Sequence, residues 1–296
     1  MKTYLDCIPC FFKQALESAR IAGASKKKQK KVLNEIAKAL PKLSLDASPP
    51  QIARMVNQIL KEITKNKDIY GPIKKKSNKL ALNIYGRLKK KVRNSRDRML
   101  MAVELAIAGN IIDYGVKNSL NVDEELAKIL DEENKAIKKE NKAIFDYKSF
   151  KHALAKAENI LYLADNAGET VFDRVLLEEI KRMYGDKEII YAVKERAAIN
   201  DALIEDALAC GIDKCAKVIS SGSDAPGTVL SLCSKEFLRI YKKADMIISK
   251  GQGNFEALSS QRRPIFFLFM AKCPVIAREV GCNIGDVILQ YNRGKI

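Results

Sequence analysis

The chain has 296 residues, and its 47% hydrophobic content is enough for the core of one large domain or two smaller ones. No run reaches the roughly 20 apolar residues of a membrane span, and the N-terminus lacks the apolar core of a secretory signal, so we expect a cytoplasmic protein without membrane contact. The net charge of +17 comes entirely from residues 1–100, where 25 Lys and Arg face 7 Asp and Glu.

This basic excess consists largely of lysine runs, at 26–28, 74–76 and 89–91. Few aromatic residues lie between the lysines, whereas single-stranded nucleic acids are usually bound by aromatic stacking next to positive charge. The pattern therefore favours a solvated helical surface, which also attracts anionic substrates, over a specific nucleic-acid site.

Residues 1–150 are predicted to form an α-helical domain. Apolar residues recur there with helical spacing, and Gly and Pro residues separate the periodic segments. The predicted helices are 10–22, 30–40, 50–64, 73–92, 98–113 and 122–140. Charged residues dominate the last of these, so we expect it to be an exposed connector into the second half.

Residues 151–296 alternate between short apolar runs of strand length and helical segments. The predicted strands are 160–164, 188–193, 217–220, 246–249, 265–269 and 287–289. This alternation predicts a Rossmann-like α/β domain with a doubly wound, mainly parallel sheet. The fold class is thus α/β, preceded by an α-helical domain.

The segment 160–180 is predicted to be a strand, a tight loop and a helix. Asp165 and Asn166 follow the strand directly, and Gly168 allows the turn. Ligands of open α/β sheets bind outside the carboxyl ends of the strands, so we interpret Asp165 and Asn166 as ligands of a metal or a phosphate. The alternative is a helix cap with no further role.

Asp201 follows the next predicted strand, 36 residues after Asp165. This spacing is about one βαβ unit, which places both aspartates at the ends of strands that lie roughly 5 Å apart when they are neighbours. One cation can then bind both carboxylates together with Asn166. An all-oxygen set suits Mg²⁺ or Mn²⁺ better than an ion that prefers thiolates. Here too a simple helix cap is the alternative for Asp201.

Three later loops carry groups that suit a phosphate. Ser221 and Gly222 follow the third strand and offer backbone N–H groups. Lys250 and Gly251 follow the fourth strand, where a glycine lets the backbone approach a ligand. Lys272 follows the fifth apolar run. An ordinary surface loop is the alternative for the segment that carries Ser221 and Gly222.

These residues carry a resemblance to a known family. The chain resembles the damage-control phosphatases, a family long known only as a domain of unknown function and also described as an acidic-residue carboxyl methyltransferase. The shared elements are Asp165-Asn166-Ala167-Gly168-Glu169, Asn200-Asp201, Lys250-Gly251, Gly253-Asn254-Phe255-Glu256, Lys272, Gly109-Asn110-Ile111-Ile112-Asp113 and the N-terminal Cys7-x-x-Cys10. The resemblance covers essentially the whole chain.

The family implies a divalent-metal-dependent phosphatase that acts on small phosphorylated metabolites. Its metal, which we expect to be Mg²⁺, Mn²⁺, Co²⁺ or Ni²⁺, corresponds to Asp165, Asn166 and Asp201. The sugar-phosphate branch tends to have Gly-Asp-x-Asn-Tyr-Arg where this chain has the sequence 251–256, so the chain is more similar to the compact archaeal and bacterial branch, and a fructose phosphate is not expected.

Each predicted site residue has an assigned role. The catalytic group comprises Asp165, Glu169, Lys250 and Lys272, and the group that binds substrate or phosphate comprises Ser221, Gly222, Gly251, Asn254 and Glu256. Glu169 would orient water or bind a substrate hydroxyl, and Asp165 has a second potential role as a covalent nucleophile. The partner is a small phosphorylated metabolite, no nucleic acid or membrane is expected, and a homo-oligomer remains open.

The Cys7-x-x-Cys10 pair lacks a second closely spaced pair that would complete a zinc site, and it opens a helical domain rather than following a strand. We expect both thiols to pack near the junction of the two domains, away from the strand ends, or to form an occasional disulfide. All seven cysteines are expected to be reduced.

Two other functions compete with the phosphatase. A carboxyl methyltransferase would bind S-adenosylmethionine through a glycine-rich first loop, but the loop after the first predicted strand has a single glycine, Gly168. A nucleic-acid-binding protein is supported only by the basic first third, and a steep loss of affinity with salt would reveal it.

Overall fold

The computed structural model of the chain describes residues 1–109, 142–185 and 187–292. The predicted helix 122–140 and the last four residues of the predicted helix 98–113 lie outside these ranges. Within them, no helix combines the length and the apolar character that a membrane crossing requires.

The first 109 residues are helical, as predicted. The helices are α1 (Cys7–Ile21), α2 (Lys26–Ala39), α3 (Pro49–Thr64), α4 (Gly71–Asn94) and α5 (Arg98–Ala108). Local capping explains where they begin: the Asp97 carboxylate accepts the Leu100 N–H at 3.0 Å, and the Ser48 N–H donates to the Gln51 side chain at 2.8 Å.

The second half alternates between strands and helices. The strands are β1 (Ile144–Phe145), β2 (Asn159–Leu163), β3 (Glu188–Val193), β4 (Lys217–Ser220), β5 (Met246–Lys250), β6 (Ile265–Met270) and β7 (Val287–Asn292). The helices are α6 (Tyr147–Lys156), α7 (Glu169–Tyr184), α8 (Ile204–Ala209), α9 (Lys235–Lys243), α10 (Gln252–Leu258) and α11 (Pro274–Val280). All six predicted strands are confirmed, whereas the two-residue strand β1 was not predicted.

The seven strands form one sheet in the order β1-β7-β6-β5-β2-β3-β4. Neighbouring strands are parallel except for β6 and β7, so the sheet is mainly parallel, as predicted. The chain winds from β2 through β3 to β4 in one direction and from β5 to β6 in the other. The crevice at the carboxyl ends of β2 and β5 is therefore the topological switch point, where ligands of such sheets bind.

Helices cover both faces of the sheet. Side chains of β2 alternate between two hydrophobic clusters, because Ile160 and Tyr162 face the side of α4–α7, whereas Leu161 and Leu163 face the side of α9–α11. This alternation makes the sheet the centre of the core and confirms the doubly wound α/β class.

The first three helices form a third cluster of their own around residues such as Val32, Ile36 and Val56. Helices α4 and α5, in contrast, pack on α7 and share the cluster on one face of the sheet. The division into domains 1–150 and 151–296 remains a prediction, and the packing of α4 and α5 crosses that boundary.

Candidate active site

The loops after β2 and β3 are joined by backbone hydrogen bonds. The Ala167 N–H donates to the Asn200 carbonyl at 3.0 Å, and the Ala202 N–H donates to the Asp165 carbonyl at 2.8 Å. Between these bonds, Asn166 and Asp201 pair in an isolated antiparallel bridge. The structure therefore brings Asp165, Asn166 and Asp201 together at the carboxyl edge of the sheet.

The Asn166 side chain connects the carboxylates on its own loop. Its amide nitrogen donates to Asp165 Oδ2 at 3.0 Å and to Glu169 Oε1 at 2.9 Å. Because the nitrogen makes both bonds, the amide oxygen lies on the other side of the group. The amide is thus held in one orientation within the site.

Lys194 is a neighbour of Asp201 that the sequence analysis did not identify. It directly follows β3, its ammonium lies 3.5 Å from Asp201 Oδ2, and both residues are buried. A lysine directly after a predicted strand at the same edge as Asp165 was the signal that could have revealed it. Its positive charge offsets one of the carboxylates of the site.

The loop that carries Asp201 contains a strained residue. Ile199 has a φ of 52°, in the left-handed region that a β-branched residue rarely adopts. Its side chain packs against the cluster formed by α1–α3, and Lys61 on α3 donates to the nearby Ala197 carbonyl. The surrounding structure holds this conformation in place, as is common at functional sites.

Gly251 lies directly against Asp165 across the switch point. A Cβ atom at position 251 would overlap the Asp165 carboxylate, and the glycine has a φ of +78°. Gly251 is therefore required for the close approach of the two loops. Its N–H donates to the Leu268 carbonyl at 3.0 Å, so this amide does not provide the expected phosphate contact.

A buried charged network lies next to Glu169. The Lys250 ammonium donates to Asp173 Oδ1 at 2.7 Å and to Glu169 Oε2 at 3.2 Å. Asp173 also accepts hydrogen bonds from the hydroxyls of Tyr162 and Tyr191, each at 2.7 Å. Asp173 was not among the predicted site residues, although it lies one turn after Glu169 on the same helix.

The expected contact of Lys250 with substrate is not what the structure shows. Its side chain is only 1% exposed and is surrounded by carboxylates. Burial lowers the pKa of Lys250, but the charges of Asp173 and Glu169 outweigh this effect and raise it overall. Lys250 is therefore a charged internal residue that fixes Glu169.

Two carboxyl groups near the edge have strongly raised pKa values. Burial raises the pKa of Glu169 to about 7, against the opposing charge of Lys250 and with a smaller contribution from Asp165. Burial also raises the pKa of Glu256 to about 7, although a hydrogen bond from Gln252 Nε2 at 2.8 Å lowers it in part. Both groups are thus poised near neutral pH.

Lys272 is the predicted cation that remains at the rim. It is half-buried, its charge lowers the pKa of Glu169, and its backbone N–H donates to Gln252 Oε1 at 3.1 Å. The same Gln252 side chain therefore contacts both Glu256 on its own helix, α10, and the loop that carries Lys272. Between the two predicted lysines, Lys272 is the more exposed, and its contact with a substrate stays a prediction.

The amides of Ser221 and Gly222 are used within the protein. The Ser221 N–H donates to the Val193 carbonyl at 2.8 Å, and the Gly222 N–H donates to Ser220 Oγ at 2.9 Å. Because these donors already have acceptors, the expectation that they bind phosphate is not supported by the geometry. They instead shape the loop after β4.

The Asn254 side chain also forms its hydrogen bonds within the protein. Its amide nitrogen donates to the carbonyls of Ala164 and Lys250, at 3.0 and 2.7 Å, and its oxygen accepts the N–H and the hydroxyl of Thr228. The side chain is fully buried. It holds three loops of the carboxyl edge together, rather than pointing out toward a substrate as predicted.

Helix α3 brings additional cations to this edge. Arg54 forms an ion pair with Asp224 in the loop after β4, and Lys61 contacts the loop after β3. Neither residue was predicted at the site, because the basic first third was interpreted as a solvated surface. Their position was not predictable because it depends on how the helical part packs on the sheet.

The cysteine pair lies closer to the strand ends than expected. The pKa of Cys7 and of Cys10 is raised, first by burial and then by the proximity of Cys273 and Glu256. Asp6 forms an ion pair at 2.8 Å with Arg278 on α11, which brings the start of α1 to this edge. The prediction that the pair packs away from the strand ends is thus wrong. All seven cysteines are free thiols.

The donor set at the edge fits a hard divalent cation. Among the residues that the structure describes, no three His, Cys, Asp or Glu side chains are arranged to hold a metal. The candidate set consists instead of two carboxylates and one amide, from Asp165, Asp201 and Asn166, whose loops the backbone bridge joins. All three offer oxygen ligands, and Gly251 leaves space for the Asp165 carboxylate.

Known proteins resemble the chain over nearly its entire length. A damage-control phosphatase from Pyrococcus horikoshii is 36% identical over 299 residues, covering 100% of both chains, and one from Archaeoglobus fulgidus is 34% identical over 239 residues, covering 80% of each. The crystal structure of a DUF89 family protein from Pyrococcus horikoshii superposes with a TM-score of 0.89 at 34% identity and covers 99% of both chains. Residues 3–288 match the damage-control phosphatase ARMT1-like domain. The chain therefore belongs to the damage-control phosphatase family, as the motifs of its sequence indicated.

Proposed function

We propose that this phosphatase hydrolyses phosphomonoesters of small, damaged phosphorylated metabolites with the help of a divalent cation. Asp165, Asn166 and Asp201 would hold the cation, which we expect to be Mg²⁺, Mn²⁺, Co²⁺ or Ni²⁺. The observation that carries the proposal is the backbone bridge between Asn166 and Asp201, because it holds the loops of these oxygen-bearing residues side by side at the switch point of the sheet. Two relatives are themselves damage-control phosphatases.

The cation, when bound, would supply Lewis-acid activation of a phosphoryl oxygen and of water. The protein's own residues then have separable tasks. Lys272, at the rim, would stabilise negative charge on the phosphoryl oxygens. Glu169 is as buried as Lys250, and its two oxygens accept from Lys250 and from the Asn166 amide, so it would hold Asn166 in place rather than orient water or a substrate hydroxyl as the sequence suggested.

The charge distribution supports an anionic substrate. Arg54 and Lys61 approach the carboxyl edge from helix α3, and Lys194 lies beside Asp201. These cations partly offset the acidic residues of the site, so a dianionic phosphate is not repelled. The exclusion of nucleic acid, the cytoplasmic location and the oligomeric state remain predictions.

Metal removal is the direct test of the proposal. Protein treated exhaustively with a chelator should lose phosphatase activity and recover it with one of the four cations. Asp201→Asn keeps the size of the side chain but removes a negative charge, so it should weaken metal binding and lower kcat, with partial rescue at high metal concentration.

Asp213→Asn is the matched control, because Asp213 is exposed and precedes β4 at the opposite edge of the sheet. It should leave metal affinity and kcat unchanged. Calorimetric titration beside steady-state kinetics gives both quantities. Undiminished turnover after chelation, or an Asp201→Asn variant with wild-type metal affinity, would contradict the proposal.

A further inference from the structure

Asn78 on helix α4 is a buried polar residue, only 6% exposed, that makes contacts far from its own helix. Its side-chain oxygen accepts the Gly168 N–H at 2.7 Å. Its side-chain nitrogen donates to Asp206 Oδ1 at 2.8 Å. The two atoms of one amide therefore connect residues that lie 38 positions apart in the sequence.

Both partners belong to the loops that carry the candidate ligands. Gly168 comes two residues after Asn166 and has a φ of +84° at the start of α7. Its N–H belongs to the first turn of that helix, where such groups have no partner within the helix. Asn78 supplies the missing acceptor and so fixes the end of the loop that contains Asp165 and Asn166.

Asp206 comes five residues after Asp201, in the first turn of α8. Its second oxygen, Oδ2, accepts the Leu203 N–H at 3.0 Å and a hydrogen bond from the Lys74 ammonium at 3.2 Å. Lys74 is itself on α4, one turn before Asn78, and is only 3% exposed. The loop that contains Asp201 is thus anchored to the same helix, through neighbouring side chains.

We infer that Asn78 is a positioning residue that sets the separation of the two ligand loops. The inference rests on the proposed metal set, since its effect is exerted on Asp165, Asn166 and Asp201 rather than on the substrate. The backbone bridge aligns the loops locally, while Asn78 ties both of them to a rigid helix of 24 residues. Buried amides of this kind have one orientation in which every atom is satisfied.

Exchange of the two side chains tests the inference. In Asn78→Asp, a carboxylate faces the Asp206 carboxylate, so two acceptors meet. In Asp206→Asn, the side chains at 78 and 206 are both amides. Whichever way the two amides are turned, two donors face each other in at least one of three contacts: with the Gly168 N–H, with the Leu203 N–H, or between the amides. In the double variant, the carboxylate at 78 accepts from Gly168 and from the new amide at 206, whose oxygen still accepts from Leu203.

The readout is the affinity for Mn²⁺, measured by calorimetry on chelator-treated protein. Each single variant should bind Mn²⁺ about 10- to 100-fold more weakly, which is the usual effect of losing a residue that orients metal ligands. The double variant should return to within a few-fold of wild type. Thermal unfolding without metal identifies any single variant that does not fold. In that case the Mn²⁺ affinity of the double variant, in which every buried group keeps a hydrogen-bond partner, decides the question.

Tyr85→Phe is the control for a purely structural effect. Tyr85 is also on α4 and donates to Glu178 on α7 at 2.7 Å, away from the ligand loops. It should change stability without changing Mn²⁺ affinity. A double variant that binds more than 10-fold more weakly than wild type, or single variants with wild-type affinity, would overturn the inference alone. Wild-type protein that binds no divalent cation would overturn the proposed function and this inference with it.

Discussion

Gly251→Ala should damage the candidate metal site far more than it damages the fold. A Cβ at this position would overlap the Asp165 carboxylate, so that side chain must leave its present rotamer. The residue also has a φ of +78° with a ψ of 159°, a conformation that is essentially confined to glycine. The substitution therefore has a backbone cost and a separate cost to the site.

Gly281→Ala separates the two costs. Gly281 also has a φ of +78°, with a ψ of 45° in the left-handed helical region, and a methyl group at this position would meet no atom within 4 Å, so only a backbone cost applies. A non-glycine residue with positive φ costs on the order of 1–3 kcal/mol. We expect urea unfolding of the chelated protein to show a loss near the lower end of this range for Gly281→Ala and a loss near the upper end for Gly251→Ala.

Metal affinity should distinguish the two variants. Displacement of Asp165 removes one charged ligand from its position, so Gly251→Ala should bind Mn²⁺ at least about 10-fold more weakly, whereas Gly281→Ala should bind it like wild type. Calorimetric titration on equal amounts of folded protein gives the comparison. Equal Mn²⁺ affinity in the two variants would refute the view that Gly251 exists to accommodate Asp165.

Three further results are expected. Glu256→Gln should flatten the dependence of stability on pH. A carboxyl with a folded pKa of about 7 destabilises the protein as pH rises from 4.5 to 7, by about 3 kcal/mol in all. A free energy of urea unfolding that depends on pH in the same way in variant and wild type would contradict this. Lys272→Ala should lower kcat/KM by about 10- to 1,000-fold with little change in metal affinity, and wild-type kinetics would remove Lys272 from the site. Asp173→Asn should lower the free energy of unfolding by about 3–5 kcal/mol, because the buried Lys250 ammonium loses one of its two carboxylate partners. A loss below about 1 kcal/mol in urea unfolding would show that Glu169 alone stabilises the Lys250 charge.

The strands were predictable because the sheet is covered on both faces. Strands such as β6 are apolar throughout, and a continuous apolar run is a clear signal. Strand β1 has only two residues and leaves no such signal. The antiparallel direction of β7 was also not predictable from the sequence, because the hydrophobic pattern of a strand carries no information on its direction.

The site was predictable only where it is local in sequence. Asp165 and Asn166 come just after β2, so their place at the edge follows from the strand itself. The burial of Lys250, at the end of β5, was not predictable, because it depends on Asp173 from helix α7. The same holds for Asn78, whose partners lie 90 and 128 residues away.

Ile199 has a consequence for the construction of chimeric proteins. Its left-handed backbone is held by packing against α1–α3, so the shape of the Asp201 loop depends on helices from the other end of the chain. A chimera that takes these helices from one relative and the sheet from another must preserve the packing between the helices and residue 199. Recombination boundaries placed by sequence alone would separate this residue from the helices that hold it.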